Sequence, residues 1–194
     1  MRRRIATATA LVLASVPATL FSGVGSAAAE PAPAPSVATA IGTFGEYEPD
    51  ATASTYDTEL VPEGARAHVF ALSAPGLGTN TVLSVSGLVP NREYGAHAHT
   101  RPCGETGKAA GPHFQHEQDP VSPSVDPDYA NPDNEIWLDF TTNRSGSATE
   151  LSSVEWQFGE RRPASVVIHE MHTHTAPGEA GAAGSRLACI NVDF

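Results

Sequence analysis

Residues 93–99 read Glu-Tyr-Gly-Ala-His-Ala-His. Side chains of a β-strand alternate between its two faces, so this spacing sets His97 and His99 side by side on one face of a sheet. Similar short runs recur along the chain. Ala65–Ser73 is one, closed by Ala74-Pro75-Gly76. After Thr79-Asn80, Leu83, Val85 and Gly87 share a face. Ile136, Leu138 and Phe140 alternate with Trp137, Asp139 and Thr141. Ser147–Trp156, Ser165–Met171 and Arg186–Phe194 follow, with a weak first run at Tyr56–Val61. Gly, Pro and Asn punctuate the runs, and no helix–strand repeat interrupts them. The pattern predicts an all-β domain, an eight-stranded Greek-key flattened barrel of the immunoglobulin-like sandwich type. Two connections are long, Thr100–Asn134 and Thr173–Ser185, and loops of that length in a compact domain usually carry function.

The 194 residues divide unevenly. Met1-Arg2-Arg3-Arg4, an apolar run from Ile5 to Phe21 and Ala27-Ala28-Ala29 read as a signal peptide, residues 1–29, cleaved near Ala29. A secreted or otherwise extracytoplasmic protein is expected. Pro17 makes the run a poor permanent anchor, and no later apolar stretch is long enough to span a bilayer. Residues 30–54 are rich in Pro and Ala and read as a linker or disordered tail. Residues 55–194 form the domain, about 140 residues, enough to bury roughly two-thirds of the unfolded surface.

Charge excludes whole classes of partner. The chain has 11 basic and 22 acidic residues, a net charge of −11. Removing Arg2, Arg3 and Arg4 leaves 8 basic residues and a net charge of −14. Such a surface repels phosphate backbones and anionic lipid, so no nucleic acid is expected as a partner. Nothing in the sequence sets an oligomeric state. Cys103 and Cys189 are the only cysteines. An even count in an exported chain suggests a disulfide, which would stabilise the fold by about 4–5 kcal/mol in the chain-entropy account.

Seven of the eight histidines flank the two long loops. His97 and His99 share a strand face. His113 stands at a turn in Gly-Pro-His-Phe, and His169 lies in the strand-like Val-Val-Ile-His-Glu. A strand pair, a loop residue and a residue from a second strand can converge on one ion. An all-imidazole set suits copper or zinc, and a tetragonal one favours Cu(II). His68 reads as an ordinary strand polar residue, and His172 and His174 as part of a solvated loop.

These pieces resemble one family. Gly95-Ala-His97-Ala-His99, Ala110-Gly-Pro-His113-Phe114, Val167-Ile-His169-Glu170 and Gly184-Ser-Arg186-Leu-Ala-Cys189 fall in the order of the copper–zinc superoxide dismutases. The resemblance covers roughly residues 60 to 194 and is close at the motifs and loose between them. It implies one copper per chain, held by His97, His99, His113 and His169. It also implies catalytic roles for Arg186, which guides the superoxide anion, and for His113, which carries a proton. Cys103 with Cys189 would be the family's intrasubunit disulfide, in its bacterial form.

The departures concern zinc. The family's spacing from His113 lands on Val121 and Ala130, neither of which binds metal. Its zinc aspartate falls at Asp133 counting forward and at Ile136 counting back. Its aspartate linking the two metal sites falls at Thr173. The resemblance therefore implies a copper site without the usual zinc, like the copper-only members, with a weak extra metal site at His116 and Asp133 as the alternative. The expected activity is conversion of superoxide to dioxygen and hydrogen peroxide by an exported enzyme. The rival readings are a non-catalytic exported copper-binding protein and a metal-free β-sandwich interaction module.

Overall fold

The computed structural model describes residues 34–194; residues 1–29, read as a signal peptide, lie outside that range. Nine strands and one 3₁₀ turn make up the described chain. They are β1 (Ser36–Thr43), β2 (Ala53–Thr55), β3 (Arg66–Ala74), β4 (Gly78–Ser86), β5 (Glu93–His99), β6 (Phe140–Thr141), β7 (Ala148–Val154), β8 (Ser165–His169) and β9 (Arg186–Asn191), with the turn at Gly107–Ala110. They form two sheets, ordered β1-β3-β4-β7 and β2-β9-β8-β5-β6, with every strand pair antiparallel. The architecture is a β-sandwich, as the alternation predicts, and the sheets do not close into a barrel.

Two expectations are corrected. The stretch read as linker carries β1 and β2, so the fold begins before residue 55. Strand β1 pairs with β3 from Ser36↔Ser73 to Thr43↔Arg66, and Ala38 is buried beneath it. The Pro-Ala run ends at Ser36, and Val, Thr and Ile in the following residues favour a strand. Conversely, Tyr56–Val61 is not a strand. Asp57 Oδ1 accepts the N–H groups of Glu59 and Leu60, an Asx turn that closes the backbone locally.

The core explains the alternation. Leu83, Tyr94, Ile136, Leu138, Ile168, Leu187 and Ile190 are fully buried in one cluster. Burying each aliphatic side chain of this size stabilises the fold by ~1.5–3 kcal/mol. Strand β5 is central for function. It pairs with β8 on one side, Gly95 facing His169 and His97 facing Val167. On its other side the segment Glu135–Leu138 is bonded to it, through Ala98 N–H to the Ile136 carbonyl and Leu138 N–H to that of Ala96. Gly95 is where the packing admits no side chain: a Cβ there would lie 2.5 Å from the Met171 carbonyl oxygen and 3.4 Å from His169 Cβ.

Candidate metal centre

The strand period does what the sequence predicts. His97 and His99 leave β5 on the same side, His169 reaches them from β8, and His113 arrives from the loop on a bridge to His99. One nitrogen of each ring lies within 4.8 Å of the corresponding atom of every other. His97 and His99 are fully buried, His169 is 4% exposed, and the His113 side chain is 13% exposed.

Hydrogen bonds settle which nitrogens are free. His99 Nδ1 lies 3.0 Å from the Gly111 carbonyl, which only accepts, so Nδ1 carries the proton and Nε2 the lone pair. His113 Nδ1 donates to Glu135 Oε2 at 2.7 Å, which likewise frees Nε2. For His97 the chain is longer. The Thr173 hydroxyl donates to Asp139 Oδ1 at 2.8 Å, so it accepts from His97 Nε2 at 2.6 Å. His97 Nδ1 is left buried with no partner. His99 Nε2 and His169 Nε2 face each other at 3.3 Å, and His169 Nδ1 has no partner.

Buried nitrogens without partners are costly unless something fills the space between them. Burial, then the neighbouring rings, holds His97 and His99 well below the ordinary histidine range. His169 is pushed down to about 3, first by burial and then by His113. These rings stay neutral, which is the form a metal requires. The residues fit a copper- or zinc-type ion, and His97, His99, His113 and His169 would hold it.

Among described residues no second group of three or more ligand side chains converges. His116 instead stacks on Trp156, ring centroids 4.9 Å apart and planes 2° apart. Asp133 bonds through its backbone, its N–H to Asn131 Oδ1 and its carbonyl to Trp156 Nε1. His172 bonds the Phe140 carbonyl and His174 the exposed Glu179. Cys103 and Cys189 form the disulfide, and no cysteine is free. An intrachain disulfide suits an oxidising compartment, and no helix among the described residues is long and apolar enough to cross a membrane.

No family model matches the sequence, and no curated protein matches it. Solved structures do. The Cu/Zn superoxide dismutase from Brucella abortus superposes with a TM-score of 0.53 at 18% identity, over 81% of this chain and 98% of that one. A SOD-like protein from Bacillus subtilis gives 0.50 at 13% identity, over 79% and 96%. The chain has the Cu/Zn superoxide dismutase fold.

The two positions on which the family's zinc spacing lands are Val121 and Ala130, both apolar. Val121 is 64% exposed on the wall of a cleft, and Ala130 is buried, 3.2 Å from where a Cβ on Gly181 would lie. The residue that sequence reasoning missed is Glu135. It lies between the two positions reached by counting, Asp133 and Ile136, and shares its period-two face with Trp137 and Asp139. That face meets the histidines: Glu135 holds His113, and Asp139 holds Thr173 against His97. The Thr173 hydroxyl thus joins His97 to Asp139.

Arg186 is placed by register. It stands opposite His169 across β8 and β9, at a bulge between Ile168 and His169. Its Nη1 donates to the Gly107 carbonyl at 2.9 Å. Residue 107 must be glycine for this approach, because a Cβ there would lie 2.6 Å from Arg186 Cβ. Burial lowers the guanidinium's value, yet it stays charged.

Proposed function

We propose that this chain is an exported superoxide dismutase with one copper, and no zinc, at His97, His99, His113 and His169. The carrying observation is the pairing of His113 with Glu135 beside the three buried, neutral imidazoles of His97, His99 and His169. In copper–zinc dismutases zinc takes the second nitrogen of the loop histidine, and here a buried carboxylate takes it.

Bound copper supplies a redox couple that accepts one electron from one superoxide and returns one to the next. The chain's own residues do the rest. Arg186 draws the anion toward a molecule whose net charge, also negative, repels it, and offers planar donors to it. Glu135 keeps the His113 proton on Nδ1, so Nε2 is aimed inward and can take up and release the proton that peroxide formation consumes. His113 is the least buried of the four rings, and it lines the cleft with His169 and Arg186. The overall change is two superoxide and two protons to dioxygen and hydrogen peroxide. The disulfide fits export to an oxidising compartment.

The test is metal analysis of purified protein paired with a superoxide assay. About one copper per chain with turnover is expected, as four imidazoles make one site. His97→Ala or His169→Ala should abolish both while the disulfide-linked fold persists. Copper without turnover would make the chain a copper-binding protein, and full activity in either variant would remove the assignment.

A further inference from the structure

We propose that the cleft in front of His113 and His169 binds a small organic anion, an aromatic carboxylate with one negative charge, in addition to any inorganic anion. The inference extends the dismutase reading in that Arg186 would serve both anions, but it rests on the cleft and not on the metal.

The first observation is size. The cleft has a volume of about 360 Å³. A water-sized molecule needs ~30 Å³, and superoxide has only two atoms. Pockets for organic ligands begin at about 300 Å³.

The second observation is the wall. Val121 and Val125, 64% and 41% exposed, line the cleft from a single loop, and exposed Ala182 adds to its apolar lining. Aliphatic side chains left exposed in a concave site gain by covering a flat apolar body.

The third observation is charge. Arg186 is half-buried in the cleft, spends one N–H on Gly107, and makes no salt bridge among the described residues. Two carboxylates also line the cleft, and both are engaged. Asp119 accepts from Val121 N–H at 2.7 Å and from the Ser124 hydroxyl at 2.6 Å. Glu135 accepts from His113, Trp137 and Gln115. Among the described residues the guanidinium is therefore the one Lys or Arg group lining the cleft, and neither carboxylate pairs with it. The nearby carboxylates set the limit at a single negative charge on the ligand, and a planar carboxylate matches the guanidinium fork.

The experiment titrates benzoate into the full chain, both metal-free and loaded with diamagnetic Cu(I), and reads the methyl resonances of Val121 and Val125. Benzoate should shift both valines in both forms. Benzyl alcohol, with the ring and no charge, and acetate, with the charge and no ring, should each bind about tenfold more weakly or worse. Arg186→Gln should weaken benzoate by about the same factor. Val121→Ser combined with Val125→Ser should weaken benzoate and leave acetate unchanged. Equal affinity for benzoate and benzyl alcohol overturns the proposal, as do shifts seen only with copper bound. The probe comparison on the unaltered chain does not depend on any variant folding. A chain that takes up no copper would end the dismutase reading while the metal-free titration still decides this one.

Discussion

Glu135 Oε2 lies 2.7 Å from Nδ1 of His113, and the same oxygen accepts from Trp137 Nε1 at 2.6 Å. The other oxygen accepts from Gln115 Nε2 at 2.8 Å, and the residue is 1% exposed. A buried carboxylate is tolerable only when its oxygens are satisfied, and three donors do that here. The donors also leave the carboxylate no freedom to swing away, so the His113 ring is held at a fixed angle.

Copper affinity should therefore depend on Glu135 although it is no ligand. Glu135→Gln removes the charge and sets an amide N–H₂ either against both His113 and Trp137 or against Gln115. Losses of this kind of ligand support are typically 10–100-fold in metal affinity or activity. A competition titration with a copper chelator measures it, and wild-type affinity in the Gln and Ala variants would show that the pair is incidental.

The metal-free chain should lose stability on acidification. Above the ordinary histidine value of 6.5 the three buried rings are neutral whether the chain is folded or not. Below it the unfolded chain gains protons that folded His169 refuses until about 3, and His97 and His99 likewise resist. Each ring then removes up to ~1.4 kcal/mol per pH unit across that window. Urea unfolding at a series of pH values should show a shallower slope for His97→Ala than for wild type; equal slopes would mean that the ring takes up protons freely in the fold.

Arg186→Ala should slow superoxide capture and leave copper affinity nearly unchanged, and Arg186→Lys should recover part of the loss. The difference should shrink with added salt, since the Debye length falls from ~30 Å at 0.01 M to ~8 Å at 0.15 M. Pulse measurement of the bimolecular rate decides it: identical low-salt rates for all three proteins would mean another group guides the anion.

Reconstitution with both metals should leave about one copper and little zinc, because Zn²⁺ needs four donors and Val121 and Ala130 offer none. One tightly held zinc per chain, beside the copper, would contradict the role given to Glu135.

Period-two alternation made the sandwich and the His97–His99 pair legible, since both depend on backbone geometry common to all strands. Loop residues were another matter. His113 was found because Gly-Pro-His-Phe is a motif, while Glu135 was missed because counting along a connection of altered length lands beside the right residue. Strand β1 escaped because a Pro-Ala run hid its start, and β2 is only three residues long. The Thr173–Asp139 relay joins residues 34 apart in sequence and shows no local signal.

The disulfide reaches further than its two sulfurs. The segment pinned by Cys103 also presents the Gly107 carbonyl to Arg186 and the Gly111 carbonyl to His99, and the Tyr56 hydroxyl clasps it at Gly104. Cys189 lies on β9, three residues after Arg186. One oxidation event thus fastens Arg186 and the tautomer of His99 together. With the thiols apart, hydrogen bonds such as those from Tyr56 to Gly104 and from Cys103 N–H to Asn191 would be left to hold both acceptors in place. The redox state of the surroundings thereby bears on how rigidly Arg186 and His99 are held.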